Sequence, residues 1–154
     1  MKDIPIVNQF IGRDSELKEL RKILLPQKRA VRRKVFVLHG LGGIGKTQLT
    51  IEFAGRYWRR FSSMFWLDGR TEESLKRSIM ATAKLIPKGQ IPETSRSYTH
   101  GNSGDVDIVI HDVLCWFSLV QNTKWLLIFD NVDRIPMHTI SDDIYLEQTM
   151  VWSW

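Results

Sequence analysis

The chain has 154 residues, 43% hydrophobic and 25% charged, with a formal net charge of +5. This is an ordinary globular composition, long enough for one core, so one main domain is expected. No apolar run approaches the ~18 residues of a membrane span, and Met1-Lys2-Asp3-Ile4-Pro5 has no apolar signal core, so no membrane partner and a reducing, cytoplasmic setting are expected.

Asp14 or Ser15 is placed to cap a first helix, whose apolar positions Leu17, Leu20, Leu24 and Leu25 share one face before Pro26 stops it. Much of the positive charge then follows in Lys28, Arg29, Arg32, Arg33 and Lys34. With no aromatic residue interleaved to stack on bases, this run reads first as a solvated linker and second as a nucleic-acid patch, and nucleic acid is not an expected partner. Val35 to Leu38 is a fully apolar strand, and directly after it Gly40 to Thr47 read GLGGIGKT, a complete match to the phosphate-binding loop GxxxxGK[ST].

The chemistry of that loop follows from its residue types. Glycines allow positive φ and remove side-chain bulk, so backbone N–H groups can close around phosphate oxygens at the mouth of the next helix. The phosphate-binding set is Gly40, Leu41, Gly42, Gly43, Ile44, Gly45, Lys46 and Thr47. The Lys46 ammonium would reach the β and γ phosphates, and the Thr47 hydroxyl would take one Mg2+ position. The competing reading is a glycine-rich turn between a strand and a helix.

A helix from about residue 45 to 60 places Leu49, Phe53 and Tyr57 at spacing four, and Arg56, Arg59 and Arg60 complement its negative end. Met64 to Leu67 form a second strand ending at Asp68-Gly69. Thr71 caps the following helix, with Glu72 and Glu73 in its first turn, Leu75, Ile79 and Ala83 on its buried side, and Pro87 at its end. Residues 88–105, rich in Gly, Pro, Ser and Thr and without a period, are expected to be a long mobile surface loop. Helical spacing resumes near Asp107, with Val109, Val113, Trp116 or Phe117, and Val120 inward up to Asn122. The single cysteine, Cys115, excludes an internal disulfide and, lying in Val113-Leu114-Cys115-Trp116-Phe117, is expected to be a core thiol rather than a reactive one.

Trp125 to Phe129 form the strongest strand. The alternation of strands and helices implies an α/β fold, a mainly parallel sheet covered on both faces with ligands at the carboxyl ends of its strands. That rule places Asp130 beside the phosphate loop as a second Mg2+ position with Thr47, rather than as a turn former. Asp133 either orients water or begins the turn at Val132-Asp133-Arg134-Ile135-Pro136, and the turn is the preferred reading.

Four ordered segments carry a family resemblance: Phe10-Ile11-Gly12-Arg13-Asp14, HGLGGIGKTQL from His39 to Leu49, FSSMFWLDGRTEESL from Phe61 to Leu75, and WLLIFDNVD from Trp125 to Asp133. Together they resemble the NB-ARC type of signal-transducing (STAND) P-loop ATPase, most closely the nucleotide-binding domains of fungal NOD-like receptors, across about residues 10–136. Residues 1–9 are then a lead-in and 137–154 an atypical tail. The resemblance implies a three-layer α/β/α P-loop fold and a nucleotide-operated switch in innate-immune signalling. In that switch ADP holds a closed state and exchange for ATP opens a form that self-associates. It also implies that Ile11, Gly12 and Arg13 lie along the base or ribose, with a surface salt bridge the alternative for Arg13. Asp68-Gly69-Arg70 would lie near the γ-phosphate, where Arg70 is the residue able to counter its charge; a plain loop approaching the next helix is the alternative.

Two departures bear on activity. Many relatives carry a second acidic residue right after the Mg2+ aspartate, and here that position is Asn131, whose amide cannot act as a general base, so hydrolysis is expected to be slow unless Asp133 or another group substitutes. In the family a further strand with a phosphate sensor follows and lies between the phosphate-loop strand and the aspartate strand. Residues after Pro136 carry no such motif, so the sheet must gap, pair the phosphate-loop and aspartate strands directly, or recruit the tail as a substitute. Val151, Trp152 and Trp154 have the strand propensity for that last role, but Ser141-Asp142-Asp143 before them read as loop, so the sheet is expected to be incomplete on that side and 137–154 helical or irregular. The reading is thus ADP or ATP binding with Mg2+ and weak or absent turnover. Its alternatives are an active P-loop ATPase, a nucleic-acid-binding ATPase using the basic run, and an inactive truncated fragment that docks on a full-length relative.

Overall fold

The fold is seen in a computed structural model that describes residues 12–26, 34–98, 104–119, 122, 124–132 and, as backbone, 149–153. Its elements are α1 (Asp14–Leu24), β1 (Val35–Leu38), α2 (Lys46–Tyr57) closed by a 3-10 turn (Trp58–Arg60), β2 (Ser63–Asp68), α3 (Glu72–Ala83), α4 (Glu93–Arg96), α5 (Gly104–Phe117), β3 (Trp125–Asp130) and β4 (Thr149–Ser153). The four strands form one sheet in the order β1-β4-β3-β2, and every pairing is parallel.

The sequence of β3 explains why it sits inside. All six of its residues are buried, as a parallel strand covered on both faces requires. Trp125, Leu127 and Phe129 join a cluster with Leu75 and Ile79 of α3 and Val109, Val113, Trp116 and Phe117 of α5. Leu126 and Ile128 join a second cluster with Leu17, Leu20 and Leu24 of α1 and Leu49, Phe53 and Ala54 of α2. Helices therefore lie on both faces of the sheet, one pair on each, and each fully buried side chain contributes about 1.5–3 kcal/mol.

Local chemistry sets the helix ends. Leu25, directly before Pro26, is extended at φ −63°, ψ 138°, the conformation that a following proline imposes. Thr71 caps α3 as expected: it accepts from the Ser74 N–H while the Ser74 hydroxyl receives the Thr71 N–H, a reciprocal capping box. At α1 the expectation is corrected. The cap residue is Arg13, left-handed at φ 60° and without a side-chain cap bond, and Asp14 is already the first helical residue.

Four further expectations change. Residues 88–105 are expected to be a mobile loop, yet the described part of that stretch carries α4, buries Ile91 and Ser95, and is tied to α5 by Trp116 Nε1 donating to Gln90 Oε1 at 2.6 Å and Ser95 Oγ to Asp112 Oδ2 at 2.6 Å. Cys115 is exposed, not in the core, because Val109, Val113, Trp116 and Phe117 already take the inward face of α5. The expected cover on both faces is incomplete at β1, which is an edge strand among the described residues: Val35 is 46% and Val37 38% exposed. Finally, 149–153 are neither helical nor irregular but form β4, with Met150 opposite both Val35 and Leu127 and Val151 opposite both Phe36 and Ile128. A strand between β1 and β3 satisfies the backbone ladders of both, a gain invisible to local composition. Val120, Asp133 and the basic run apart from Lys34 lie outside the described residues.

Candidate functional site

β1 delivers the chain to the glycine loop at the carboxyl edge of the sheet. Gly43 and Gly45 have φ of 78° and 85°, a conformation that L side chains resist, and Gly45 is the cap residue from which α2 starts at Lys46. At Gly42 and Gly43 an added Cβ would meet nothing within 4 Å. Lys46 Nζ donates to the loop carbonyls of Gly40 at 2.9 Å and Leu41 at 3.2 Å, folding its ammonium over the loop. Gly40 through Ile44 are exposed, whereas Lys46 and Thr47 are half-buried on the first turn of α2.

The sheet brings Asp130 to this turn. Thr47 Oγ1 donates to Asp130 Oδ1 at 3.0 Å, joining positions 83 residues apart. The same oxygen accepts from the Asn131 N–H at 3.1 Å, and Asp130 is 7% exposed. A hydroxyl and a carboxylate side by side are the hard oxygen donors that Mg2+ accepts. Among the described residues no group of three or more His, Cys, Asp or Glu side chains could hold a metal. A Mg2+ held by Thr47 and Asp130 would therefore draw its remaining ligands from phosphate and water. Asn131 is exposed and left-handed at φ 61°, a conformation asparagine tolerates better than most residues. It carries no acid toward the site.

Arg13 reaches the loop from the other side. Its Nη1 donates to the Ile44 carbonyl at 3.1 Å and its Nε to Glu16 Oε1 at 3.0 Å, so the start of α1 is strapped to the loop. The Ser15 hydroxyl, the Glu16 N–H and Arg13 together hold the Glu16 carboxyl below the ordinary range. Gly12, beside it, is exposed with φ 82°, and Ile11 lies outside the described residues.

Arg70 is engaged by its own strand. Its guanidinium donates to Asp68 through Nε at 2.9 and 3.0 Å and Nη2 at 2.6 Å, and it holds the Asp68 carboxyl below the ordinary range. Asp68 is in register with Asp130 on the neighbouring strand. The resemblance draws attention to the Asp68-Gly69-Arg70 segment through Arg70; a role for Asp68 itself comes from the register, which only the fold supplies. Gly69, between them, donates its N–H to the Asp130 carbonyl at 2.8 Å.

No protein-family model matches the chain. A curated protein described as a nucleotide-binding leucine-rich repeat (NLR)-like protein, from Hyaloscypha variabilis, is 25% identical over 132 residues, covering 84% of this chain and 12% of that protein. The similarity is distant, and the chain spans only that small share of its relative. It supports an NLR-like relationship. Among the described residues no helix is long and apolar enough to cross a membrane.

Proposed function

We propose that the chain is an adenine-nucleotide-binding core of a P-loop signalling switch, binding ADP or ATP with Mg2+ and turning over slowly or not at all. The observation that carries this reading is the 3.0 Å bond between Thr47 and Asp130, which unites the phosphate-loop motif with the aspartate at the end of an apolar strand. In the family that the motifs resemble, a strand lies between the phosphate-loop strand and the aspartate strand, and the order β1-β4-β3-β2 agrees with that three-layer plan.

The loop amides and Lys46 would take the phosphates, and Thr47 with Asp130 would take Mg2+, which supplies charge neutralisation when bound. Slow turnover follows from Asn131, which can neither accept a proton from water nor become charged. The distant relative, a nucleotide-binding leucine-rich repeat (NLR)-like protein, is consistent with this assignment; signalling, self-association and a cytoplasmic setting extend it.

Calorimetry with Mg-ADP on the purified chain tests the reading. Binding that weakens at least tenfold in Lys46→Ala is the expected result. No heat at millimolar nucleotide, or a Lys46→Ala chain indistinguishable from the parent, overturns it.

A further inference from the structure

The carboxylates of Asp68 and Asp130 end neighbouring strands in register, and both lie on the face that packs against α1 and α2. Along β2, Met64 and Trp66 pack toward that cluster, as Leu126 and Ile128 do along β3, so the period of two brings Asp68 and Asp130 to the same side. Arg70 closes on Asp68 with three bonds of 2.6 to 3.0 Å, so the charge of one of the two carboxylates is countered.

The backbone beneath Arg70 is tied to its neighbours, whereas its side chain lies exposed over Asp68. Gly69 is bonded to the Asp130 carbonyl, Thr71 is locked into the capping box of α3, and the Ser74 hydroxyl donates to the Asp68 carbonyl at 3.1 Å. The Arg70 side chain is 70% exposed. It can therefore exchange partners by rotating its own torsions, without moving the sheet.

We infer that Asp68 is a specificity-determining residue: it competes with a terminal phosphate for Arg70 and so weakens binding of a nucleoside triphosphate relative to a diphosphate. The inference rests on the nucleotide reading above. A guanidinium pairs with a phosphate through the same two-pronged geometry that it uses on a carboxylate. A triphosphate seated between Lys46 and Asp130 must draw Arg70 away and leave Asp68 unneutralised beside Asp130. A diphosphate ends short of Arg70 and leaves the pair intact.

The test titrates the full chain with Mg-ADP and with a non-hydrolysable Mg-ATP analogue, for the parent, Asp68→Asn, Arg70→Gln and the double variant. Asp68→Asn is expected to tighten the analogue about twofold to fivefold, the scale an exposed ion pair sustains, with Mg-ADP unchanged as the control for folding. Arg70→Gln weakens the analogue alone, and the double variant matches Arg70→Gln. An unmoved ratio of the two affinities in Asp68→Asn, or tightening that persists without Arg70, overturns the competition while Mg-ADP binding stands. A parent that binds neither nucleotide overturns the site reading and this inference together.

Discussion

Gly69 stands where the exits of β2 and β3 cross, and there is no room for a larger residue. A Cβ at this position would lie 2.7 Å from Val132 Cγ2 and 3.2 Å from the Asp130 carbonyl oxygen. Val132 is buried and β-branched, so it cannot swing aside. Gly69→Ala is therefore expected to cost about 1–3 kcal/mol, read as a lower urea midpoint; an unchanged midpoint would show that the crossing yields. The neighbouring ion pair makes a pH-dependent contribution. Arg70 depresses the Asp68 pKa in the folded chain, so the pair stabilises fully above the ordinary aspartate range and loses that stabilisation as pH falls through the depressed value. The midpoint gap between the parent and Asp68→Asn should accordingly be small at neutral pH and close on acidification; a gap that widens in acid would contradict the sign. These residues also mark what is legible in a sequence. Lys46, Thr47 and Asp130 stand out because a contiguous motif and a strand end each carry a local signal. Asp68 does not, because its position opposite Asp130 is a property of register. The strap from Arg13 to Ile44 is likewise a contact across 31 residues.

Elements with a sustained period were readable. α3 is specified at both levels: Leu75, Ile79 and Ala83 fall on one face, and the Thr71 and Ser74 side chains satisfy backbone donors that the first turn leaves free. Thr71→Ala should cost about 0.5–2 kcal/mol and Thr71→Ser much less, measured as thermal midpoints; equal losses in the two variants would place the role of Thr71 outside the cap. The stretch before α5 resisted reading for a physical reason. Its anchors, Ile86 and Ile91, are five residues apart, and α4 has only four residues, too few to generate a period. What orders this stretch is tertiary: Ile86 and Ile91 enter the cluster under α3 and α5, and the Trp116 indole finds its acceptor in Gln90. A buried indole N–H without a partner is costly, so the segment is held by a donor that lies 26 residues further on.

At the scale of the whole molecule, the two halves of the candidate site are joined through β4. The loop follows β1 and Asp130 ends β3, yet these strands do not pair with each other; β4 lies between them and pairs with both. Local sequence only hints at this: Val151 and Trp152 have strand propensity, but the pairing of β4 with β1, more than a hundred residues away, leaves no trace in composition. The arrangement yields a sharp prediction. Val151 pairs with Phe36 on one side and Ile128 on the other, and a proline there removes a backbone donor from the interior of a sheet, where proline is not accommodated. In Val151→Pro, β1 should lose its hydrogen-bonded link through β4 to β3, while the α1–α2 cluster keeps its packing on Leu126 and Ile128, giving a broadened thermal transition shifted to lower temperature. Mg-ADP, if it bridges loop and Asp130 as proposed, should raise the midpoint of the parent and do little for the variant, because the geometry it binds is no longer held in advance. Retention of both the parent's midpoint and its nucleotide-dependent shift in Val151→Pro would mean that the phosphate loop and the metal-binding aspartate are aligned without β4, through the contact of Thr47 with Asp130 and the packing of α2 alone.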